Sequence, residues 1–317
     1  MSDITISLNP EEFVWENKYR PITVSDCILP KHIQDKMQKI VIDRQFTNMT
    51  FYSSPGTGKS TVAKAICSEL DLDYIFINGS KEGRLLDTVR NVVEPFISSM
   101  SVDHHGQGIK VVIYDEFDNS GHDVQKSIRG LIDESITTCR FIFTGNYVTK
   151  FIDPIISRTS MIDFSVPHEE KPYIMAKIFE RCCIILDFEK IPYDKQILAA
   201  YIAKSFPDFR KILNELQSYS ACGQIDKGIL SFSLDKYDPL VNFIIDKDFN
   251  SIINWVKNNS FDSSVYAIVG KNLYKHIDKV LWLDVIMKCD EYQYRHTFAT
   301  DPDVTLFAFC ASLMEIL

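Results

Sequence analysis

The sequence has no C-x-x-C pair, although it contains eight cysteines: Cys27, Cys67, Cys139, Cys182, Cys183, Cys222, Cys289 and Cys310. Spread in this way they fit neither a zinc site nor a disulfide framework, and they read as free thiols in a reducing compartment. Long apolar runs are missing too, and none approaches the roughly 20 residues that a membrane helix needs. The opening residues, Met1 to Thr5, carry neither the basic nor the apolar stretch of a secretory signal. A soluble, cytoplasmic chain is therefore expected. An excess of basic residues is also lacking, since 34 Lys and Arg stand against 43 Asp and Glu, a formal net charge of −9. Such a chain is not a general polyanion binder, so any nucleic-acid contact has to come from a local patch or from assembly. There are no internal repeats or low-complexity segments. What is present is an apolar fraction of 45% in 317 residues, enough for two or three domains with real cores.

The most informative stretch is Ser54-Pro55-Gly56-Thr57-Gly58-Lys59-Ser60-Thr61. It lies between the apolar run Met49–Tyr52 and a helical pattern over 61–70. Strand, glycine loop and helix in that order turn backbone N–H groups inward as a nest for phosphate oxygens. Gly56 and Gly58 allow positive φ and close backbone approach. Lys59 would set a charge against the β- and γ-phosphates, and the Ser60 hydroxyl would ligate Mg²⁺. The full P-loop pattern has glycine where this chain has Ser53.

From Met49 onward strands and helices alternate. Strands are expected at Met49–Tyr52, Tyr74–Asn78, 109–114, 140–144 and 160–164, with helices over 31–44, 61–70, 85–98, 122–134 and 153–157. Helix 85–98 would turn Val89, Val92, Val93 and Phe96 to one side. This rhythm implies a five-stranded parallel sheet with helices on both faces, and ligands at the carboxyl ends of its strands. Past Pro167 only helices follow, over 170–186, 193–205 and 209–221, then a linker-like stretch over 223–233. Residues 235–317 read as a further all-helical domain. Its last helix, from Val304, is apolar on nearly all sides and is expected to pack on other helices or other subunits.

Two strand ends carry chemistry. The strand ending in Asp115-Glu116-Phe117-Asp118 follows the P-loop. Asp115 would hold Mg²⁺ through water, and Glu116 would polarise the attacking water as general base. The pair favours NTP hydrolysis over mere binding. The next strand ends in Gly145-Asn146, whose amide could orient the water or the γ-phosphate; an asparagine in a turn is the plainer account. Arg158, after a short helix, and Arg210, near the start of a later one, would each read as structural if taken alone.

Taken together these motifs resemble a known family. Trp15 to Pro21, Ser54 to Ser60, Asn78-Gly79-Ser80 with Val89-Arg90, Asp115 to Asp118, Gly145 to Tyr147, Ile156 to Arg158 and Pro207 to Arg210 occur in the order found in sliding-clamp-loader ATPases of the AAA+ superfamily. The resemblance covers residues 13–225 and extends to replication factor C small subunits and to the large, ATP-hydrolysing subunit of T-even-like bacteriophage loaders. It implies an α/β P-loop AAA+ domain over 1–166, an all-α lid over 167–228 and an all-α oligomerising collar over 229–317. It also implies ATP with Mg²⁺, with Tyr19 and Arg20 near the adenine and Ile28 as an apolar contact. Asn146 would be the first sensor, and Arg158 an arginine finger reaching a neighbour's ATP. Arg210 would be a second sensor that touches the γ-phosphate from the lid. Two departures stand out, Ser53 for the first P-loop glycine and Thr159 where the family often has cysteine.

The resemblance further implies partners: copies of this chain with a smaller loader subunit in a pentamer, the sliding clamp, and primer–template DNA, all within a virus-encoded system in a bacterial cytoplasm. Phosphate contacts would fall on Lys81, Arg84 and Arg90 and on the segment from Gln125 to Arg129; a solvated helix face is the bland alternative. Gln125 could instead couple DNA to Glu116. The clamp would meet Phe96, Ile97, Met100 and Val102, for which core burial is the competing account. Rival functions are another DNA-directed AAA+ motor or initiator, an ATP-binding scaffold subunit, and a small-molecule P-loop kinase.

Overall fold

The computed structural model describes residues 12–99, 109–232, 237–274 and 276–317. They form two compact units, residues 1–230 and 231–317. Met100, Val102 and the polar loop after them lie outside the described residues.

The first unit is built on β1 (Met49–Tyr52), β2 (Tyr74–Asn78), β3 (Lys110–Asp115), β4 (Cys139–Gly145) and β5 (Ser160–Asp163). All neighbours pair in parallel, in the order β2-β3-β4-β1-β5. Val111, Val112, Ile113 and Tyr114 are buried without alternation, as a strand covered on both faces requires. The chain leaves β1 and returns two strands away at β3 only after visiting the β2 edge. That reversal opens a crevice at the carboxyl ends of β1, β3 and β4.

Helices α1 (Trp15–Lys18), α2 (Lys31–Asp43) and α3 (Lys59–Glu69) come first. The α3 helix starts two residues earlier than the sequence pattern suggests, because Gly58 in a left-handed conformation caps it. Lys59 and Ser60 therefore sit in its first turn, where backbone N–H groups are free. The helix expected over 85–98 is not uniform. A short α4 (Leu86–Thr88) passes through a π-helical stretch (Val89–Val93) into α5 (Glu94–Ser98). The wider turn buries Val89 and Val93 but rotates Val92 outward to 45% exposure, against the single apolar face anticipated. The sheet is completed by α6 (His122–Glu134) and α7 (Asp153–Ile156).

Beyond β5, the helices α8 (Lys171–Phe188), α9 (Lys195–Ser205) and α10 (Phe209–Ser220) pack around Ile178, Leu186, Leu198, Ile202, Ile212 and Leu216. Asp194 and Asp208 cap α9 and α10 through their side chains. Trp15 of α1 and Tyr19 just after it are buried in this same helical core rather than against the sheet. The backbone N–H of Trp15 donates to Gln217 Oε1 at 2.9 Å, and Lys18 Nζ meets Glu189 at 2.6 Å. A short helix, α11 (Gly228–Phe232), follows.

In the second unit, α12 (Asp238–Ile245), α13 (Phe249–Asn258), α14 (Ser264–Leu273), α15 (Trp282–Phe298) and α16 (Pro302–Ile316) enclose a core of Leu240, Ile244, Val265, Tyr266, Val269, Leu306 and Phe309. The α16 helix buries Leu306, Phe309, Cys310 and Leu313 against its neighbours. The outward apolar stripe falls instead on α15, where Leu283, Met287, Tyr294 and Phe298 are all exposed. Among the described residues no helix is long and apolar enough to cross a membrane.

Candidate active site

A single cleft in the first unit is lined by most of the residues singled out above. They are Pro55 to Thr61 from the glycine loop, Asp115, Glu116 and Asn146 from the strand ends, Tyr19, Arg20 and Ile28 from the N-terminal segment, and Arg210 from α10. The loop that begins the site is shaped by two glycines with left-handed φ, +76° at Gly56 and +91° at Gly58. At Gly56 there is also no room for a side chain, because a Cβ would stand 1.8 Å from Asp208 Oδ1. The start of α10 thus rests directly on the loop, and Phe209 N–H donates to the Gly56 carbonyl at 3.3 Å.

Ser53 has no left-handed backbone to satisfy, and its hydroxyl is used. It lies 2.5 Å from Thr57 Oγ1 and 3.3 Å from Lys59 Nζ, bridging the two ends of the loop. The serine therefore ties down the start of the loop. Lys59 Nζ also donates to the carbonyls of Ser53 and Ser54, at 3.0 and 2.8 Å, and to Asn146 Oδ1 at 3.1 Å. Burial pushes the Lys59 amine down to about 8, against the opposing pull of the Asp115 and Asp118 carboxylates.

Ser60 Oγ donates to Asp115 Oδ1, which also accepts from the Thr144 hydroxyl at 2.6 Å. Thr144 in turn accepts from the Glu116 N–H at 3.0 Å, so one β4 hydroxyl holds both acids of β3. Glu116 has a left-handed φ of +52°, a costly conformation for a non-glycine residue, which turns its side chain from the strand toward the end of β2. There its Oε2 accepts from the Ser80 hydroxyl, which itself accepts from Asn119 Nδ2 at 2.9 Å. Asp118, only 4% exposed, accepts from the backbone N–H groups of Asn146 and Tyr147 at 3.1 and 3.2 Å. Sequence reasoning assigned no role to Thr144, Ser80 or Asp118. The available signals were the places of Asp118 and Ser80 in the motifs Asp115 to Asp118 and Asn78-Gly79-Ser80.

On the far side of the cleft, Arg210 Nε meets Glu16 Oε1 at 2.7 Å. Arg181, 3% exposed on α8, donates to the Asp26 carbonyl at 2.6 Å and joins the same wall beside Ile28. Tyr19 gives its hydroxyl to Glu189, so its ring lies in the wall and its polar end points away.

Other expected residues lie elsewhere. Arg158 does not line the cleft. It forms a two-pronged pair with Asp133 of α6, at 2.7 and 3.1 Å, and holds that carboxyl below its ordinary range. Thr159 shares a hydrogen bond of 2.8 Å with Thr50 in β1. Lys81, Arg84, Arg90 and Arg129 are exposed, although Lys81 and Arg84 lie at a 3₁₀ turn (Glu82–Arg84) rather than at a regular helix start. Gln125 is corrected by its burial at 2%, since both ends of its amide are spent inside the chain. Nε2 donates to the Lys150 carbonyl at 2.9 Å and Oε1 accepts from Ile152 N–H at 3.0 Å, leaving nothing to offer DNA. Phe96 and Ile97 are half-buried and pack against the sheet's core.

Comparison with known proteins agrees with this architecture. Residues 49–166 match the model for the ATPase family associated with various cellular activities (AAA). Residues 170–231 match the AAA+ ATPase lid domain of the sliding-clamp-loader large subunit. The chain is 37% identical over 230 residues to the sliding-clamp-loader large subunit of Escherichia phage RB69, spanning 71% of this chain and 70% of that protein. It is 29% identical over 336 residues to the replication factor C small subunit of Saccharolobus solfataricus, across 97% and 96% of the two chains. A solved Thermotoga maritima RuvB branch migration motor shares the fold, with a TM-score of 0.52 at 15% identity over 79% of this chain and 85% of that one. With a P-loop cleft, a helical lid resting on it and these relatives, the chain belongs to the sliding-clamp-loader family of AAA+ ATPases.

Proposed function

We propose that this clamp-loader ATPase, a replication enzyme by its family, hydrolyses ATP at a site that each subunit shares with its neighbour. The observation that carries the reading is the meeting of Lys59 with Asn146 and of Ser60 with Asp115, beside Glu116 and opposite Arg210, while Arg158 stands outside the cleft. Lys59 and the N–H groups of Gly56 to Thr61 hold the phosphates. Tyr19, Arg20 and Ile28 form the wall for the base. Glu116 takes the proton of the attacking water, Asn146 orients that water, and Arg210 reads the γ-phosphate from the lid.

Magnesium fits the donor set, since the Ser60 hydroxyl and an Asp115 carboxylate oxygen lie against one another and the ion prefers a few oxygen ligands with several waters. When bound, it would offset the charge of the phosphates. Arg158, free of its own cleft, is read as the finger that completes a neighbour's site, a contribution of about 10³–10⁵ in rate.

The assembly we propose contains copies of this chain and a smaller subunit in a pentamer, joined through the helical unit of residues 231–317, the collar. The exposed stripe of Leu283, Met287, Tyr294 and Phe298 supports that role. The sheet domain of residues 1–166 and the lid of 167–228 would open the sliding clamp on ATP binding and close it on primer–template DNA. Lys81, Arg84, Arg90 and Arg129 would meet phosphates, and the region of Phe96 and Ile97 would meet the clamp. The setting is the cytoplasm of a bacterial host. The test is the ATPase rate with and without clamp and primer–template DNA. Stimulation by both is expected, and no response to either would overturn the reading.

A further inference from the structure

The N-terminal helix contributes a carboxylate to the cleft. Its neighbours Trp15 and Tyr19 are buried in the lid core at 4% and 2% exposure; Trp15 N–H is tied to α10, and Lys18 and Tyr19 are tied to Glu189 just past the end of α8. Glu16, on the opposite face of the same turn, is left in the cleft wall. Its Oε1 stands 2.7 Å from Arg210 Nε and 3.6 Å from Arg20 Nη2. A carboxylate between two arginines is out of place in a site built for polyphosphate, because it competes for the same guanidinium donors. The anchors on either side prevent α1 from swinging away, so the exchange has to happen at the Arg210 side chain, which is 54% exposed and can move.

We propose that Glu16 is a positioning residue that holds Arg210 in a waiting place, from which only a third phosphate draws it. This rests on the reading of Arg210 as the γ-phosphate contact. With ADP, Arg210 stays on Glu16. With ATP, the guanidinium leaves for the phosphate, and Arg20 remains to neutralise Glu16. After hydrolysis and phosphate loss, Glu16 takes Arg210 back, which resets the cleft. The latch therefore weakens ATP binding selectively and leaves ADP binding almost untouched.

The test measures Kd for ATPγS and for ADP on the full chain, in wild type, Glu16→Gln, Arg210→Ala and the double variant. Glu16→Gln should raise the preference for ATPγS over ADP roughly two- to fivefold, the range of a part-exposed ion pair. In the Arg210→Ala background the same change should leave that ratio unmoved. Glu16→Asp, which keeps the charge, should lie close to wild type. An equal gain for both nucleotides in Glu16→Gln, or the same rise in ratio without Arg210, would overturn the latch and make Glu16 a general charge in the cleft. If Arg210→Ala alone does not lower the ratio, the γ-phosphate reading falls together with the latch.

Discussion

The Ser80 hydroxyl donates a hydrogen bond to Oε2 of Glu116, joining the turn after β2 to the proposed general base at the end of β3. A carboxylate oxygen held by a neighbouring donor is drawn away from the water it would have to meet. While the contact lasts, Glu116 faces the turn as well as the cleft. Ser80→Ala should therefore raise the basal ATPase rate, by about three- to tenfold given the usual net worth of a hydrogen bond. Steady-state turnover without DNA or clamp checks this. An unchanged or lower rate would make Ser80 a support for Glu116 and not a restraint. Glu116→Gln should bind ATP and lose turnover in either case.

The P-loop lysine gives the site a pH dependence. Free Lys59 loses its proton as pH rises through about 8, whereas phosphate oxygens favour the charged form. Nucleotide binding above that pH must take up a proton, so affinity should be flat below it and weaken above it, by no more than tenfold per unit. Kd for ATPγS between pH 7 and 9.5 shows the slope. Lys59→Arg stays protonated throughout and should flatten the curve.

Arg158 and Asp133 form a pair away from the cleft of their own chain. If the arginine serves a neighbour, Arg158→Ala should abolish turnover in the assembly while leaving ATP binding intact. Mixing Arg158→Ala with Lys59→Ala subunits should then restore part of the rate, since some sites receive a sound P-loop and a sound arginine. A mixture as inactive as either variant would place Arg158 in its own site or outside catalysis.

Asp118 steadies Asn146 by accepting two backbone N–H groups. Asp118→Ala takes the shared acceptor from both donors and should lower kcat by about ten- to a hundredfold, equivalent to about 1–3 kcal/mol. Asp118→Asn, which can still present one oxygen, should lose much less. Single-turnover rates, set beside ATPγS binding, separate this from loss of the loop's phosphate grip.

Much of this molecule is readable from residue order. The five strands announce themselves because a sheet covered on both faces needs unbroken apolar runs, and β3 is one from Val111 to Tyr114. Helix starts are less legible. Gly58 caps α3 two residues before the apolar pattern begins, and the π-helical stretch at Val89–Val93 turns Val92 outward through backbone geometry that periodicity does not encode. Gln125 misled for a related reason, since a polar residue on an amphipathic helix reads as solvent-facing until the loops that it braces, at Ser120 and Lys150, fold over it.

The sequence by itself determined the chemistry on offer: a lysine in a glycine loop, two acids and an amide at strand ends, and arginines further along. Those residue types at those spacings have few other uses. Only the tertiary structure decided which groups are engaged with which. Parallel pairing sets β4 between β1 and β3, which brings Thr144 and Asn146 to Asp115 and Lys59 across 29 and 87 residues of chain. The docking of α1 on the lid core does the same for Glu16 and Arg210. Hydrogen bonds and ion pairs act over about 3 Å of space whatever the separation along the chain, so such contacts are set by the fold and have no local signature in the sequence.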